Sequence, residues 1–477
     1  MELVKQYEGG KLYLANGIRI VDIRGDWFTM GRQYGCLAKE NLQHVLDFLK
    51  EKTIEETKSQ KDEESKSQRI EETKSQKDEE TKSQRDEETK SQRDEETKSQ
   101  RVEETKSQRD EETKSQRGKE TKGQRVEETK SQRDEETKSQ RDEETQSQRD
   151  EETKSQRVEE TKSQRVEETK KGGSEKGKWE RVVETAEKLF SRYPEELRAF
   201  FRGMAETSGL SEEELRIVNA VEYAEPAFMC SALAAWGPYS TDQELVFGRN
   251  YDAMSYLPIK DDLLVTVYHP EGMLSALTVG YAGEIYCVNG FNEKGLFIEL
   301  NNGMPSAGFD IRYDLNASTT ELLMLLFRAE NMQDVDRFFR ETQSFSSIII
   351  GVADENEARS YEWCTAGTKL AEQSAEGQMM QTNHYVHPDW PYDEPNDAQS
   401  WFTLTRRKNV CQMAERFKGQ IDADRMCTIM QTPMADGGPM FVPFTLYQLV
   451  VEPRKKQMRM RITEGPDWTT IDMNKLL

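Results

Sequence analysis

Residues 230–252 read CSALAAWGPYSTDQELVFGRNYD. A cysteine opens the stretch, followed by small residues and an apolar run. Gly237 and Pro238 mark a turn, and Ser240 to Glu244 a second, polar one. A second apolar run, Leu245 to Phe247, leads into Gly248, Arg249, Asn250, Tyr251 and Asp252. Two short apolar runs around a turn-rich joint read as a β-hairpin or as neighbouring strands. Such a hairpin carries a thiol at its start and an Arg/Asp pair at its end.

The rest of the chain is of two kinds. From about Ile54 to Lys171 it repeats an eight-residue unit, DEETKSQR, with Ile, Val or Gly at times in place of the Asp. The remaining residues, about 360 of 477, suffice for one large domain or two smaller ones. The net charge is −23; the repeat carries 37 acidic and 30 basic residues, or −7, which leaves −16 on the remainder. An acidic body argues against nucleic acid or an anionic membrane as partner. The expected partner is a small molecule, and a homo-oligomer stays open.

The repeat has almost nothing apolar to bury, so the rules for stacked repeats do not apply to it. Asp86, Lys90 and Asp94 stand four apart, a spacing worth a few tenths of a kcal/mol per pair on a helix. A solvated helix and disorder both fit. The unit reads as a spacer or interaction arm, or as an expansion tolerated in a surface loop.

The six cysteines, Cys36, Cys230, Cys287, Cys364, Cys411 and Cys427, form no CxxC pair, so neither a zinc site nor a disulfide framework is expected. The first residues lack the basic and apolar regions of a signal peptide. No apolar run reaches the ~20 residues of a membrane span. A reduced, cytoplasmic location follows as the expectation.

Around Asn16 and Gly17, residues 11–15 and 18–24 predict a hairpin. Asp26 to Lys52 predicts a helix. Beyond the repeat, Trp179 to Tyr193 and a segment after Pro194 predict helices, and Ser211 with Glu214 forms a capping box opening a third. Short strands are predicted at 263–268, 275–279, 284–289 and 296–300. A second capping box, Ser318 with Glu321, predicts a helix over 322–329, and 332–342 another. Strands are predicted at 346–353 and 358–364, a helix at 400–417, and a strand pair at 445–452 and 457–462.

The chain has four histidines, His44, His269, His384 and His387. They lack acidic or thiol companions at ligand spacing, so no metal or other cofactor is expected. A Cys–His enzyme with Cys230 as nucleophile and His384 as base is one alternative, and a non-enzymatic scaffold built on the repeat is another. A third needs no histidine. A free α-amine has a pKa near 8. If the chain is cut between Met229 and Cys230, thiol and amine sit on the same residue, and the amine takes the thiol proton. Arg249 would then favour thiolate, Asp252 would hold the new amine, and amide groups would serve the oxyanion.

The residues that suit this third scheme also carry a resemblance. Cys230 and Ser231 followed by GRNYD at 248–252, NEKGL at 292–296 with Leu300 and Asn301, Thr382 and Asn383, and Thr405 to Arg407 at a helix start stand in family order. They resemble the choloylglycine hydrolase and acyl-CoA:6-aminopenicillanic acid acyltransferase relatives, N-terminal-nucleophile (Ntn) hydrolases of linear amides. GRQYG at 31–35 and the helices before Cys230 resemble the propeptide region of the acyltransferase branch.

The resemblance implies an α+β, four-layer αββα sandwich. It implies Cys230 as nucleophile, Arg249 beside it, Asp252 contacting the terminal amine, Asn301 and Asn383 as oxyanion and amine-positioning asparagines, and Arg406, with Arg407 competing for that last role. Relatives of the bile-salt branch begin almost at their cysteine, whereas 229 residues precede it here, so the scheme requires autocatalytic cleavage. The parts implied are a propeptide-like region at 1–53 and 174–229, the repeat insertion at 54–173, and a catalytic part at 230–477. The cleaved chains are expected to stay associated. The reaction implied is attack on a linear non-peptide amide through a thioester, with water or an amine as acceptor.

Overall fold

A computed structural model describes residues 1–52, 178–220, 229–303, 311–371, 376–391 and 394–477. The repeat, and with it the expectation for its conformation, lies outside these residues. Those described belong to one compact unit.

The strands are β1 (Glu2–Tyr7), β2 (Gly10–Ala15), β3 (Ile18–Gly25), β4 (Met229–Ala235), β5 (Val246–Asp252), β6 (Leu263–Pro270), β7 (Ala276–Tyr281) and β8 (Asn289–Asn292). They continue as β9 (Phe297–Asn302), β10 (Ile348–Ala353), β11 (Ala358–Cys364), β12 (Gly367–Leu370), β13 (Gln378–Gln381), β14 (Thr445–Glu452), β15 (Gln457–Ile462) and β16 (Thr469–Asp472). They build two sheets. The first has ten strands in the order β1-β2-β3-β6-β7-β8-β9-β10-β11-β12, and the second has six, β13-β4-β5-β14-β15-β16. Only β3 and β6 pair parallel among them.

The quoted stretch is a hairpin. β4 and β5 pair antiparallel, with Cys230 opposite Tyr251 and Met229 opposite Asp252. Alternation along β4 splits its side chains between two cores. Cys230, Ala232 and Ala234 face the space between the sheets, while Leu233 and Ala235 join a second core under helices. Across the intersheet space the Phe247 ring meets Phe297 edge-on at 5.0 Å. Helices Thr403–Arg416 and Ala423–Gln431 cover the outer face of the six-stranded sheet. Gly248 leaves room for that layer, since a Cβ there would lie 2.6 Å from Met426 Sδ.

On the ten-stranded sheet, helix Trp27–Leu37 packs against β3 and against helix Glu195–Ser208. The GRQYG segment explains how closely. A Cβ on Gly31 would fall 2.0 Å from Phe200 O, and one on Gly203 would fall 2.1 Å from Phe28 O. These glycines let two helix backbones touch. With helix Ser318–Leu326 against β8, the layers run helix, sheet, sheet, helix, and the α+β sandwich holds.

The first hairpin turns at Asn16 (φ 48°) and Gly17 (φ 86°), the left-handed pair that an Asn-Gly turn supplies. Ser211 accepts from Glu214 N and completes its capping box.

Several expectations need correction. The long first helix breaks at Ala38, whose φ of −100° and ψ of 12° end helix Trp27–Leu37; residues 39–52 are again helical. The strand expected at 284–289 shrinks to Asn289–Asn292. Its earlier part is a buried turn whose amides are spent on side chains: Tyr281 N donates to Glu284 Oε2 at 2.8 Å and Ile285 N to Asn219 Oδ1 at 2.8 Å. The Ser318 capping box does not form. The helix starts at Ser318 behind Ala317, and the Ser318 hydroxyl bonds Ser344 Oγ at 2.6 Å instead. The helix expected from Ser400 starts at Thr403, because Trp401 and Phe402 hold φ of 58° and 57°.

Candidate active site

Register decides what surrounds Cys230. Arg249 lies opposite Ala232, so on the intersheet face it is the diagonal neighbour of Cys230, within reach of a long side chain. Its Nη2 donates to Cys230 Sγ at 3.1 Å and to Leu300 O at 2.6 Å, and its Nη1 to Val288 O at 3.0 Å. Nη1 also stands 2.7 Å from Glu299 Oε2, both side chains fully buried. The guanidinium therefore ties the thiol of one sheet to the backbone and a carboxylate of the other.

The backbone of Cys230 is held separately. Its N–H donates to Asn383 Oδ1 at 2.9 Å. Arg406 Nη1 donates to Cys230 O at 2.5 Å and Nη2 to Asn383 Oδ1 at 2.7 Å. Arg407 donates to Met380 O instead, so the helix phase separates the two arginines. Asn383 Nδ2 donates to Asn302 O at 2.8 Å, and Asn301 Nδ2 to Thr382 O at 3.1 Å. Asp252 accepts from Thr445 Oγ1 at 2.6 Å, and its other oxygen stands 3.6 Å from Arg406 Nη1. Asp252 Oδ2 and Asn301 Oδ1 are buried without a hydrogen-bond donor among the described residues. Such atoms are uncommon in folded proteins, and each calls for an explanation.

The six residues named from the resemblance thus form one cluster, with Asn301 entering through Thr382. Arg249 and Asp252 are not a surface ion pair, since both are buried and each has its own partners. Asn301 and Asn302 end β9 rather than forming a turn. NEKGL is a turn. Asn292 Oδ1 accepts from Lys294 N and Leu296 N, and Gly295 takes a φ of 94°.

Electrostatics follow from depth. Cys230 is 1% exposed. Burial pushes its thiol up to about 12, against the pull of Arg249. Burial also lifts Asp252 to about 6, opposed by Arg406, Thr445 and Arg249, and Glu299 to about 7, opposed by Arg249 and Gln381. His384 moves the other way, to about 4, through burial and then Arg407 and Arg406. Its Nδ1 lies against Thr403 Oγ1 at 2.9 Å and Thr382 Oγ1 at 3.3 Å, while the hydrogen bond of the Cys230 thiol comes from Arg249.

Sequence reasoning missed Glu299, Thr403 and Thr445. Glu299 had one signal, a carboxylate inside the apolar strand FIELNN with no neighbour to solvate it. The threonines had none. Thr403 accepts from Asn383 N at 2.8 Å, but a threonine at a helix start is unremarkable in sequence.

Two sheets packed face to face between helix layers, with a buried cysteine at a strand start, define the Ntn-hydrolase class of architecture. The sequence model of the acyl-coenzyme A:6-aminopenicillanic acid acyltransferase family matches residues 239–416. The match begins after Cys230 and contains Arg249, Asp252, Asn301, Asn383 and Arg406. The chain is accordingly an enzyme of the amide-hydrolase and acyltransferase class. Among solved structures it is similar to an N-acylethanolamine-hydrolyzing acid amidase ortholog of Caenorhabditis elegans, at 16% identity and a TM-score of 0.37, over 47% of this chain and 93% of that one. It is similar to a conjugated bile acid hydrolase from Clostridium perfringens at 14% identity and 0.37, over 52% and 93%. Penicillin V acylase from Agrobacterium tumefaciens follows at 10% identity and 0.38, over 52% and 87%. No curated protein matches the chain. No helix among the described residues is long and apolar enough to cross a membrane.

Proposed function

We infer that this protein is a cysteine Ntn-hydrolase or acyltransferase that cuts its own chain before Cys230 and then attacks a linear, non-peptide amide. One observation carries the reading. The thiol and the nitrogen of Cys230 are gripped by different partners, Arg249 at 3.1 Å and Asn383 at 2.9 Å. A structural cysteine needs neither.

In the uncut chain the Cys230 nitrogen is an amide. Cleavage begins when Sγ attacks the carbonyl carbon of Met229. The C–N bond breaks, the nitrogen gains a proton, and a thioester links Met229 to Sγ. Water hydrolyses the thioester and returns the thiol beside a new α-amine. That amine inherits the Asn383 contact. Asp252, opposite Met229 in the hairpin, offers the acceptor oxygen that now lacks a donor.

In turnover the amine takes the thiol proton, and thiolate attacks the substrate carbonyl carbon. Donors such as the Asn301 amide face the developing oxyanion. Collapse expels the substrate amine, which leaves with the proton held by the α-ammonium. Water or a second amine then takes the acyl group from sulfur, so hydrolase and acyltransferase differ only in acceptor. Arg406 is a positioning residue through Cys230 O and Asn383. The occlusion of the thiol fits a precursor that opens on cleavage.

Intact mass spectrometry of the purified protein tests this. Fragments ending at Met229 and starting at Cys230 are expected, together with a single chain for Cys230→Ala. An uncut wild-type chain with full amidase activity would overturn the mechanism. His384→Ala should keep activity within several-fold; its abolition would favour the Cys–His alternative.

A further inference from the structure

One cavity takes no part in the chemistry above. It lies at β13, the edge of the six-stranded sheet, between helix Thr403–Arg416 and a wall that runs from His384 to Trp390 and includes Glu394 and Pro395, with a volume of about 550 Å³. Pockets that hold small molecules run from about 300 to 1,000 Å³. One side is aromatic: Tyr385 and Trp390 stack at 5.4 Å and 30°. Met380 and Leu404 add apolar surface, and Arg407 and Lys408 also line the cavity.

Arg407 is the group that calls for a ligand; Lys408 is exposed and adds a second positive charge. Arg407 Nη1 donates to Met380 O at 2.6 Å. Among the described residues no ion pair joins Arg407 or Lys408 to a carboxylate. Burial holds the Arg407 guanidinium below its usual range, with Cys411 and Glu362 pulling the other way, the cost of taking a cation out of water. Glu362 does not serve. Its carboxylate accepts from His387 N at 3.2 Å and Trp390 Nε1 at 2.5 Å, and also from Val386 N. Among the described residues Glu394 also lines the cavity and sets one negative charge against two positive ones.

We propose that this cavity binds a small organic monoanion with an aromatic or apolar body, its carboxylate on Arg407 and Lys408 and its body against Tyr385 and Trp390. A planar guanidinium receives a carboxylate through paired hydrogen bonds, and the stacked rings offer a flat apolar wall that inorganic phosphate cannot use. None of Cys230, Arg249, Asp252, Asn301, Asn383 and Arg406 lines this cavity, and the proposal does not depend on the amide chemistry.

The test uses the full-length protein and phenylacetate, followed by calorimetry and by tryptophan fluorescence, with phenylacetamide as the neutral isostere. Phenylacetate should saturate the protein, and phenylacetamide should bind at least about tenfold more weakly. The fluorescence change should vanish in Trp390→Phe while the calorimetric signal persists, which locates the ligand here rather than at Cys230. Arg407→Gln should weaken binding about tenfold, and Lys408→Ala about threefold. If Arg407→Gln does not fold, Lys408→Ala carries the decision. No saturation by about 10 mM, equal affinity for acid and amide, a fluorescence change that survives in Trp390→Phe, or an unchanged constant in Lys408→Ala would each overturn the proposal.

Discussion

Two motifs of the same catalytic part, the hairpin at 230–252 and the NEKGL turn at 292–296, are equally conspicuous in sequence and do opposite work. The hairpin sends its polar side chains away from its own backbone. Arg249 reaches the other sheet, Cys230 N–H finds Asn383, and Asp252 keeps one oxygen without a donor. The turn spends its asparagine on backbone. Asn292 Nδ2 donates to Leu326 O and Ala329 O, each at 2.9 Å, and Oδ1 accepts two amides of the turn itself. A buried polar residue whose bonds are all made to backbone is architecture. Arg249 and Asn383, which hold the thiol and the nitrogen of one cysteine, point to a site.

Removing each motif's central residue should separate these roles. Cys230→Ala should abolish cleavage and reduce amidase turnover by more than about 10³-fold, the scale of losing a nucleophile. It should change the melting temperature little, because the thiol has a single hydrogen bond and a small volume. Asn292→Ala should do the reverse. It orphans two buried carbonyls and two amides, at a cost of about 3–5 kcal/mol, and activity should fall only as far as the folded fraction does. Denaturant melts beside single-turnover assays decide it. A stable but inactive Asn292→Ala protein would erase the distinction.

A smaller effect is expected inside the hairpin. Arg249→Lys keeps the charge, but an ammonium cannot hold Sγ, two carbonyls and Glu299 in one planar fork. Cleavage should slow about 10²-fold, read as the disappearance of the full-length chain over time. An unchanged rate would mean that charge alone suffices.

How much of this was legible beforehand follows from the range of the interactions. The β4–β5 hairpin was readable because turn residues and apolar runs are local signals. So were the Asn16–Gly17 turn and the Ser211 capping box. Ser318 carried the same local signal as Ser211 and failed, because Ser344, 26 residues away, competes for the hydroxyl. Glu299 carried a signal of burial but none of its role, for a related reason. Its partner Arg249 lies on the other sheet, and no local pattern encodes sheet-to-sheet contact. The choice between Arg406 and Arg407 also needed three dimensions, since it depends on which face of the helix looks toward Cys230.

The smallest expected effect concerns Asp252. Its carboxyl is pushed up to about 6 by burial, so the folded protein holds this proton more tightly than the unfolded chain, whose carboxyl titrates near 3.8. Stability from this group is complete below about pH 4 and is lost as pH rises through about 6, a total on the order of 2–3 kcal/mol. Glu299, lifted to about 7, adds a loss of the same sign at slightly higher pH. The comparison is therefore between Cys230→Ala, which keeps the chain uncut, and the same protein carrying Asp252→Asn. Urea melts from pH 4 to 6 should show a downward slope in the first and a shallower one in the second, with the Glu299 portion remaining in both. Parallel slopes would mean that Asp252 is already ionised in the uncut protein. In that case the carboxylate would be charged before the amine exists, and burial would not be what keeps it protonated until the chain is cut.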